Sequence, residues 1–119
     1  MNSIEAYREN SVLTQPRPRL IVLLYEGAIK FLRLAVQDME AGRIAEKGRN
    51  IGRAIDILLE LNGCLDMETG GEIAANLRNL YSFMIRHLNQ ASLDKDPRKI
   101  HDVIALLQDL NGGWKAVTA

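Results

Sequence analysis

The stretch 20–39, LIVLLYEGAIKFLRLAVQDM, constrains everything else the chain can fold into. Its polar side chains Glu26, Lys30, Arg33 and Gln37 recur every three to four residues, and Glu40 follows in step. That spacing is a single line down an α-helix. Nearly all other positions are apolar, among them Leu20, Leu24, Tyr25, Ala28 and Leu32. A surface helix usually carries an apolar stripe a little over about 100° wide. Here the apolar arc takes up most of the circumference, so the helix must be covered on several sides. Either the rest of the chain covers all of it or a partner covers part.

The chain that must do this has 119 residues, enough for one domain with its own hydrophobic core. Only 3 prolines interrupt it, so long helices are permitted almost everywhere. Thr14 is placed to cap the first helix, and Pro16 and Pro18 suit a first turn, where a missing N–H costs nothing. Gly42 ends it. In the second helix Ile51, Ile55 and Leu58 form a seam with heptad-like spacing. The run Asp66-Met67-Glu68-Thr69-Gly70-Gly71 is the clearest break, a polar stretch closed by two glycines. After it, Ile73, Leu77, Leu80, Met84 and Leu88 turn toward the core of a third helix. Asp96-Pro97 is a cap followed by a first-turn proline, and it opens a fourth helix burying Ile100, Val103, Ile104, Leu107 and Leu110. Gly112-Gly113 is expected to loosen that helix before Trp114, which reads as an anchor closing the bundle end.

The predicted helices span about 18–41, 44–65, 72–91 and 97–111, in a single helical domain over 1–119. Four amphipathic helices with short links imply an all-α, antiparallel up-down-up-down four-helix bundle. A leader, 1–13, precedes it. Within the leader Ile4 and Tyr7 stand one helical turn apart, on one face of any helix that forms. Two readings stay open: a fraying end that packs weakly, or a short amphipathic plug that docks in a groove.

Charge and motif content remove several function classes. Fifteen basic and fifteen acidic residues cancel, so no basic surplus points to nucleic acid. Glu26, Lys30 and Arg33 cut the most apolar helix, so membrane insertion is not expected. The polar start, MNSIEAYREN, lacks a signal-peptide core, and a lone cysteine excludes an internal disulfide. A cytoplasmic protein is the expectation. Cys64 reads as a small buried hydrophobe. His87 and His101 fall in neither a Glu-x-x-His nor an H-E-x-x-H spacing, so no metal site is expected. The paired glycines lack the spacing of a phosphate loop. No cofactor and no catalytic residue is predicted. What remains is apolar helical surface, and an apolar groove between helices is a standard way to capture another helix. Self-association is the alternative use of such a surface, which makes the chain a structural or regulatory adaptor and a homodimer.

Several blocks of residues carry a family resemblance. They run from Ile4-x-x-Tyr7 through Leu20-Ile21-x-x-Leu24-Tyr25-Glu26-Gly27-Ala28. The most telling is Leu61-Asn62-x-x-Leu65-Asp66-x-Glu68-x-Gly70-Gly71-Glu72-Ile73-Ala74-x-Asn76-Leu77. Leu80-Tyr81, Met84-x-Arg86-x-Leu88 and Trp114-Lys115 follow in order. In this pattern the chain resembles the flagellin-specific export chaperones, the FliS family, over nearly its whole length. Gln15-Pro16-Arg17-Pro18-Arg19 and Gly112-Gly113 depart from the family's usual residues. The resemblance implies a cytoplasmic helical bundle that binds the disordered C-terminal segment of flagellin, prevents premature polymerisation and helps deliver it to a flagellar export gate component. It also implies that the Ile4/Tyr7 segment occupies part of the groove when flagellin is absent. On this basis the flagellin groove is expected to involve Ile4, Tyr7, Leu20, Leu24, Tyr25 and Ala28.

Overall fold

Pro18, with its fixed backbone angle and no N–H to leave unpaired, is the first residue of helix α1 (Pro18–Glu40). The computed structural model describes residues 18–118. The leader with Ile4 and Tyr7, and the Thr14 cap, lie outside them. Three further helices follow: α2 (Ile44–Gly63), α3 (Gly71–Asp94) and α4 (Pro97–Thr118). No strand occurs among the described residues.

The links between helices are short because local chemistry ends each helix sharply. Gly42 adopts a positive φ of 74°, which glycine does without steric cost. Its N–H then bonds the Met39 carbonyl, and the Arg43 N–H bonds the Asp38 carbonyl. These two bonds satisfy carbonyls that the helix end would otherwise leave open. Between α3 and α4 the left-handed position falls on Lys95 (φ 54°), and the Asp96 N–H closes back on the Ala91 carbonyl. Asp96 Oδ1 then accepts the Arg98 N–H at 3.0 Å, capping α4 behind Pro97 as its sequence predicts.

Short links make sequence neighbours spatial neighbours. α1 packs against α2 and α4, α3 closes the square between them, and α1 and α3 face each other across the diagonal. The result is an antiparallel four-helix bundle about 56 Å long. In α1 the buried apolar side chains are Tyr25, Ala28, Ile29, Leu32, Ala35 and Val36, the spacing of one helical face. Of the rest of the apolar arc, Ile21, Leu24, Phe31 and Met39 pack half-buried against that core, while Leu20, Leu23 and Leu34 stay outside at 49%, 50% and 36% exposed.

Three expectations are corrected here. α3 continues past residue 91 to Asp94, because its left-handed stop falls only at Lys95, after which the Asp96 N–H closes on the Ala91 carbonyl. α4 runs on through Gly112-Gly113 to Thr118. Each glycine costs a helix about 1 kcal/mol relative to alanine. Asn111 is buried and Trp114 packs on the core, so tertiary contact holds the helix on both sides of the pair. Ile73, read as core, is 73% exposed, because it lies in the first turn of α3 where the bundle gives out.

The end opposite Ile73 holds a polar cluster with no sequence signal. Asp38 is buried and accepts from Arg43 Nε at 3.0 Å and Asn50 Nδ2 at 2.6 Å. Burial pushes its carboxyl up, but these two donors outweigh that and hold it below the usual carboxylate range. Lys47, also buried, donates to the Ser92 carbonyl at 3.2 Å near the end of α3. A cation there suits the negative end of the helix dipole.

Candidate functional site

An apolar pocket of about 190 Å³ opens at the end where α2 gives way to α3. All four helices contribute to its wall: Ile21 from α1, Leu61 from α2, Ile73 and Leu77 from α3, Trp114 from α4. It exists because the break 64–70 holds the start of α3 away from the end of α2. Asp66 builds that break. Its Oδ1 accepts the Glu68 and Thr69 N–H groups, both at 3.1 Å, and its Oδ2 accepts the Thr69 hydroxyl. Those bonds, the Thr69 hydroxyl first, hold the Asp66 carboxyl below its ordinary range. Its carbonyl takes the Gly70 N–H at 2.8 Å.

Gly70 has no room for a side chain. A Cβ there runs into the Asp66 carbonyl oxygen and lies 2.6 Å from the Ala74 Cβ. Gly70→Ala is therefore expected to destabilise the protein by about 1–2 kcal/mol, since backbone must shift to admit it. Urea unfolding checks this, and an unchanged midpoint would show that the loop relaxes freely.

Tyr81 lines the pocket and belongs to a buried tyrosine pair. Tyr25 of α1 and Tyr81 of α3 reach across the diagonal, their hydroxyls 2.5 Å apart and their ring centroids 6.4 Å apart. Both are fully buried. Burial raises both phenols, and for Tyr81 the bond to Tyr25 raises it further. Cys64 also lines the wall, and burial followed by nearby Glu60 raises its thiol. A raised thiol stays protonated at neutral pH, which suits packing more than nucleophilic chemistry.

Of the residues expected in the groove, Ile4 and Tyr7 lie outside the described residues. Leu20 is exposed and Leu24 is half-buried against the core. Tyr25 and Ala28 are fully buried and stand behind the surface. The pocket wall draws on Ile21 of α1, with Leu61, Leu65, Ile73 and Leu77. The signal for these was the break itself, because apolar residues flanking a helix junction at a bundle end lack neighbours on one side. Trp114 sits at the bundle end as expected.

A second depression, of about 460 Å³, runs between α1 and α4. Lys30, Arg33 and Lys115 border it with Glu26, and Asn111 lies in its floor beside Gly112. Asn111 Oδ1 and Asn62 Oδ1 are buried with no hydrogen-bond partner among the described residues. Leaving such an acceptor unpaired costs about 1–3 kcal/mol. Among the described residues no cluster of His, Cys, Asp or Glu is suited to a metal ion, and no helix is long and apolar enough to cross a membrane.

A helical bundle with an apolar pocket at a helix junction is a shape that many folds share, so comparison with known proteins decides the family. The sequence profile of the family described as flagellar protein FliS matches residues 1–119. The chain belongs to the FliS family of flagellar secretion chaperones. It is 39% identical to the flagellar secretion chaperone FliS of Vibrio cholerae over 119 residues, covering 97% of this chain and 88% of that one. With FliS of Salmonella typhimurium it shares 38% over 122 residues, covering 98% and 90%. With FliS of Bacillus subtilis it shares 34% over 114 residues, covering 96% and 84%. The FliS pattern quoted from the break, Leu61 to Leu77, falls on the pocket: Leu61, Leu65, Asp66, Gly70, Ile73 and Leu77 all line it.

Proposed function

We propose that this FliS-family chain is a cytoplasmic export chaperone that binds the C-terminal segment of flagellin, with the apolar end pocket as the principal anchor. The observation that carries this reading is the set of apolar side chains left open there, Ile73 above all, in a chain of a secretion-chaperone family. A disordered segment with an amphipathic stripe folds into helix as its apolar face enters the pocket and the neighbouring grooves. Burying several hundred Å² of apolar surface supplies several kcal/mol at about 25 cal/mol per Å². Ordering the segment takes back about 2–5 kcal/mol. The balance is tight but reversible binding without a nucleotide. While held, the segment cannot pair with other flagellin chains, and the complex travels to the export gate. Leu20 and Leu23, exposed in the first turns of α1, offer further apolar surface to the segment. Ile4 and Tyr7 act in this reading as an internal competitor. The chain enters α1 at Pro18, next to Ile21 in the pocket wall, and the intervening residues span about 3.5 Å each when extended.

Calorimetry, size exclusion and circular dichroism with flagellin's C-terminal segment test the reading together. A one-to-one complex with helicity gained on mixing is expected. Ile73→Asp is expected to weaken it about tenfold or more, because it puts a charge where an apolar side chain must seat. Ile73 is too exposed for the change to unfold the bundle. No complex with the unaltered protein would sink the proposal.

A further inference from the structure

A groove of about 380 Å³ lies between α3 and α4 and shares no lining residue with the apolar end pocket. Phe83 and His87 border it from α3, and Asp102, Ala105, Leu106 and Asp109 from α4. Phe83 is a large apolar side chain left 41% exposed. Its ring stacks on His87, with centroids 5.0 Å apart and planes 25° apart, and His87 Nε2 lies 3.0 Å from Asp102 Oδ2. That chain of contacts crosses from α3 to α4 and fixes the phenyl ring beside the groove.

The charge in the groove has one sign. No lysine or arginine lines it. Asp102 meets His87 through one oxygen and keeps a side chain that is 64% exposed. The Asp109 carboxylate has no hydrogen bond or ion pair among the described residues. Along α4, Leu106 follows Asp102 by four residues and Asp109 follows Leu106 by three, so the three share one face. The two carboxylates are therefore about 10 Å apart along the axis, with an apolar side chain between them.

These features set the chemistry of the occupant. A trough between two antiparallel helices fits a third helix. Phe83 and Leu106 receive an apolar side chain, and the carboxylates receive cations two turns apart on the same face. A nucleic acid is repelled by the carboxylates. An apolar helix without cations covers them unpaired, at a cost. A second copy does not match either, because no two basic residues of this chain stand seven apart.

We propose that the α3–α4 groove docks a basic amphipathic helix of a different protein. Two of its cations, seven residues apart, pair with Asp102 and Asp109, and an apolar residue between them seats on Phe83 and Leu106. This groove is separate from the pocket assigned to flagellin, so cargo and a basic partner are held together.

The test uses the full chain and a fluorescein-labelled, alanine-based helical peptide with arginines seven residues apart and a leucine between them. One control replaces the arginines with glutamates. The other sets the arginines five residues apart, which puts them on different faces. The matched peptide is expected to bind about tenfold or more tighter than either control. Asp109→Lys, on an exposed and unpaired side chain, is expected to weaken it about tenfold with the circular dichroism unchanged. Asp102→Lys/Asp109→Lys is expected to reverse the preference, so that the glutamate peptide binds and the arginine peptide does not. In the unaltered protein the Phe83 ring signals in NMR are expected to shift on binding, which diffuse attraction between charges does not produce. Flagellin's C-terminal segment is expected to leave the peptide in place. Equal binding of the three peptides, an unaffected Asp109→Lys variant, unmoved Phe83 signals or displacement by flagellin would each overturn the proposal. A failure of flagellin to bind leaves the peptide readouts intact, so the two assignments fail separately.

Discussion

Leu32→Ala is expected to destabilise the protein by about 2–5 kcal/mol, whereas Leu20→Ala, the same substitution three turns earlier on α1, is expected to change stability by less than about 0.5 kcal/mol. Leu32 is 0% exposed in the middle of the core, with α2 on one side and α4 on the other. Removing its isobutyl group takes away the transfer free energy of the atoms and leaves a cavity that a closely packed bundle only partly closes. Leu20 is 49% exposed, and truncating it there removes little contact. Urea unfolding midpoints at constant slope measure both. The pair also separates stability from binding, because Leu20 is exposed and belongs to the groove in the proposed reading. In the proposed reading Leu20→Ala weakens flagellin binding more than it weakens the fold. Equal losses of stability at the two positions would mean that the exposed part of α1 is sealed in solution.

That contrast marks how far the chain's own pattern reaches. Helix number, order and type follow from periodicity and from Gly42, Asp66 to Gly71 and Asp96-Pro97, because each of these acts locally on the backbone. Periodicity also shows that α1 carries more apolar surface than one face needs. It does not say which apolar residues go outside, because that depends on where the neighbouring helices stop. Ile73 obeys the same spacing as Leu77 and Leu80, yet it lies beyond the last turn that the other helices cover. The glycine pair in α4 fails as a stop signal for a related reason. Its cost is local and modest, while the packing of Trp114 on the core and the burial of Asn111 are tertiary facts that no local rule contains. The Asp38 and Lys47 cluster is illegible for the same cause, since Lys47 is satisfied by a carbonyl 45 residues away. The pocket was half legible: the break that makes it is plain in the sequence, and the residues it leaves open are not.

Tyr81→Phe is expected to cost about 1–3 kcal/mol, although it removes one oxygen and little volume. The hydroxyls of Tyr25 and Tyr81 are 2.5 Å apart in a region with no accessible surface to spare. Taking the Tyr81 hydroxyl away leaves Tyr25 with Trp114 as its side-chain partner and without the bond across the diagonal, so part of the desolvation penalty is no longer offset. Tyr25→Phe/Tyr81→Phe removes both polar groups, so the double variant is expected to be more stable than the sum of the single changes implies. A positive coupling in that double-mutant cycle, read from urea unfolding, supports the pair as a unit. Strict additivity would mean that the bond between the two hydroxyls contributes nothing beyond what Trp114 gives Tyr25 and what water gives Tyr81. The same pair predicts an alkaline limit. Burial raises both phenols above their ordinary value, so the folded state favours their neutral form. Stability from this source is complete below about pH 10, the ordinary tyrosine value, and is lost as pH rises from there toward the raised folded values. Ultraviolet titration is expected to show these two tyrosines ionising only together with loss of helix. Ionisation of all three tyrosines near the ordinary value, with the bundle intact by circular dichroism, would place water beside the pair.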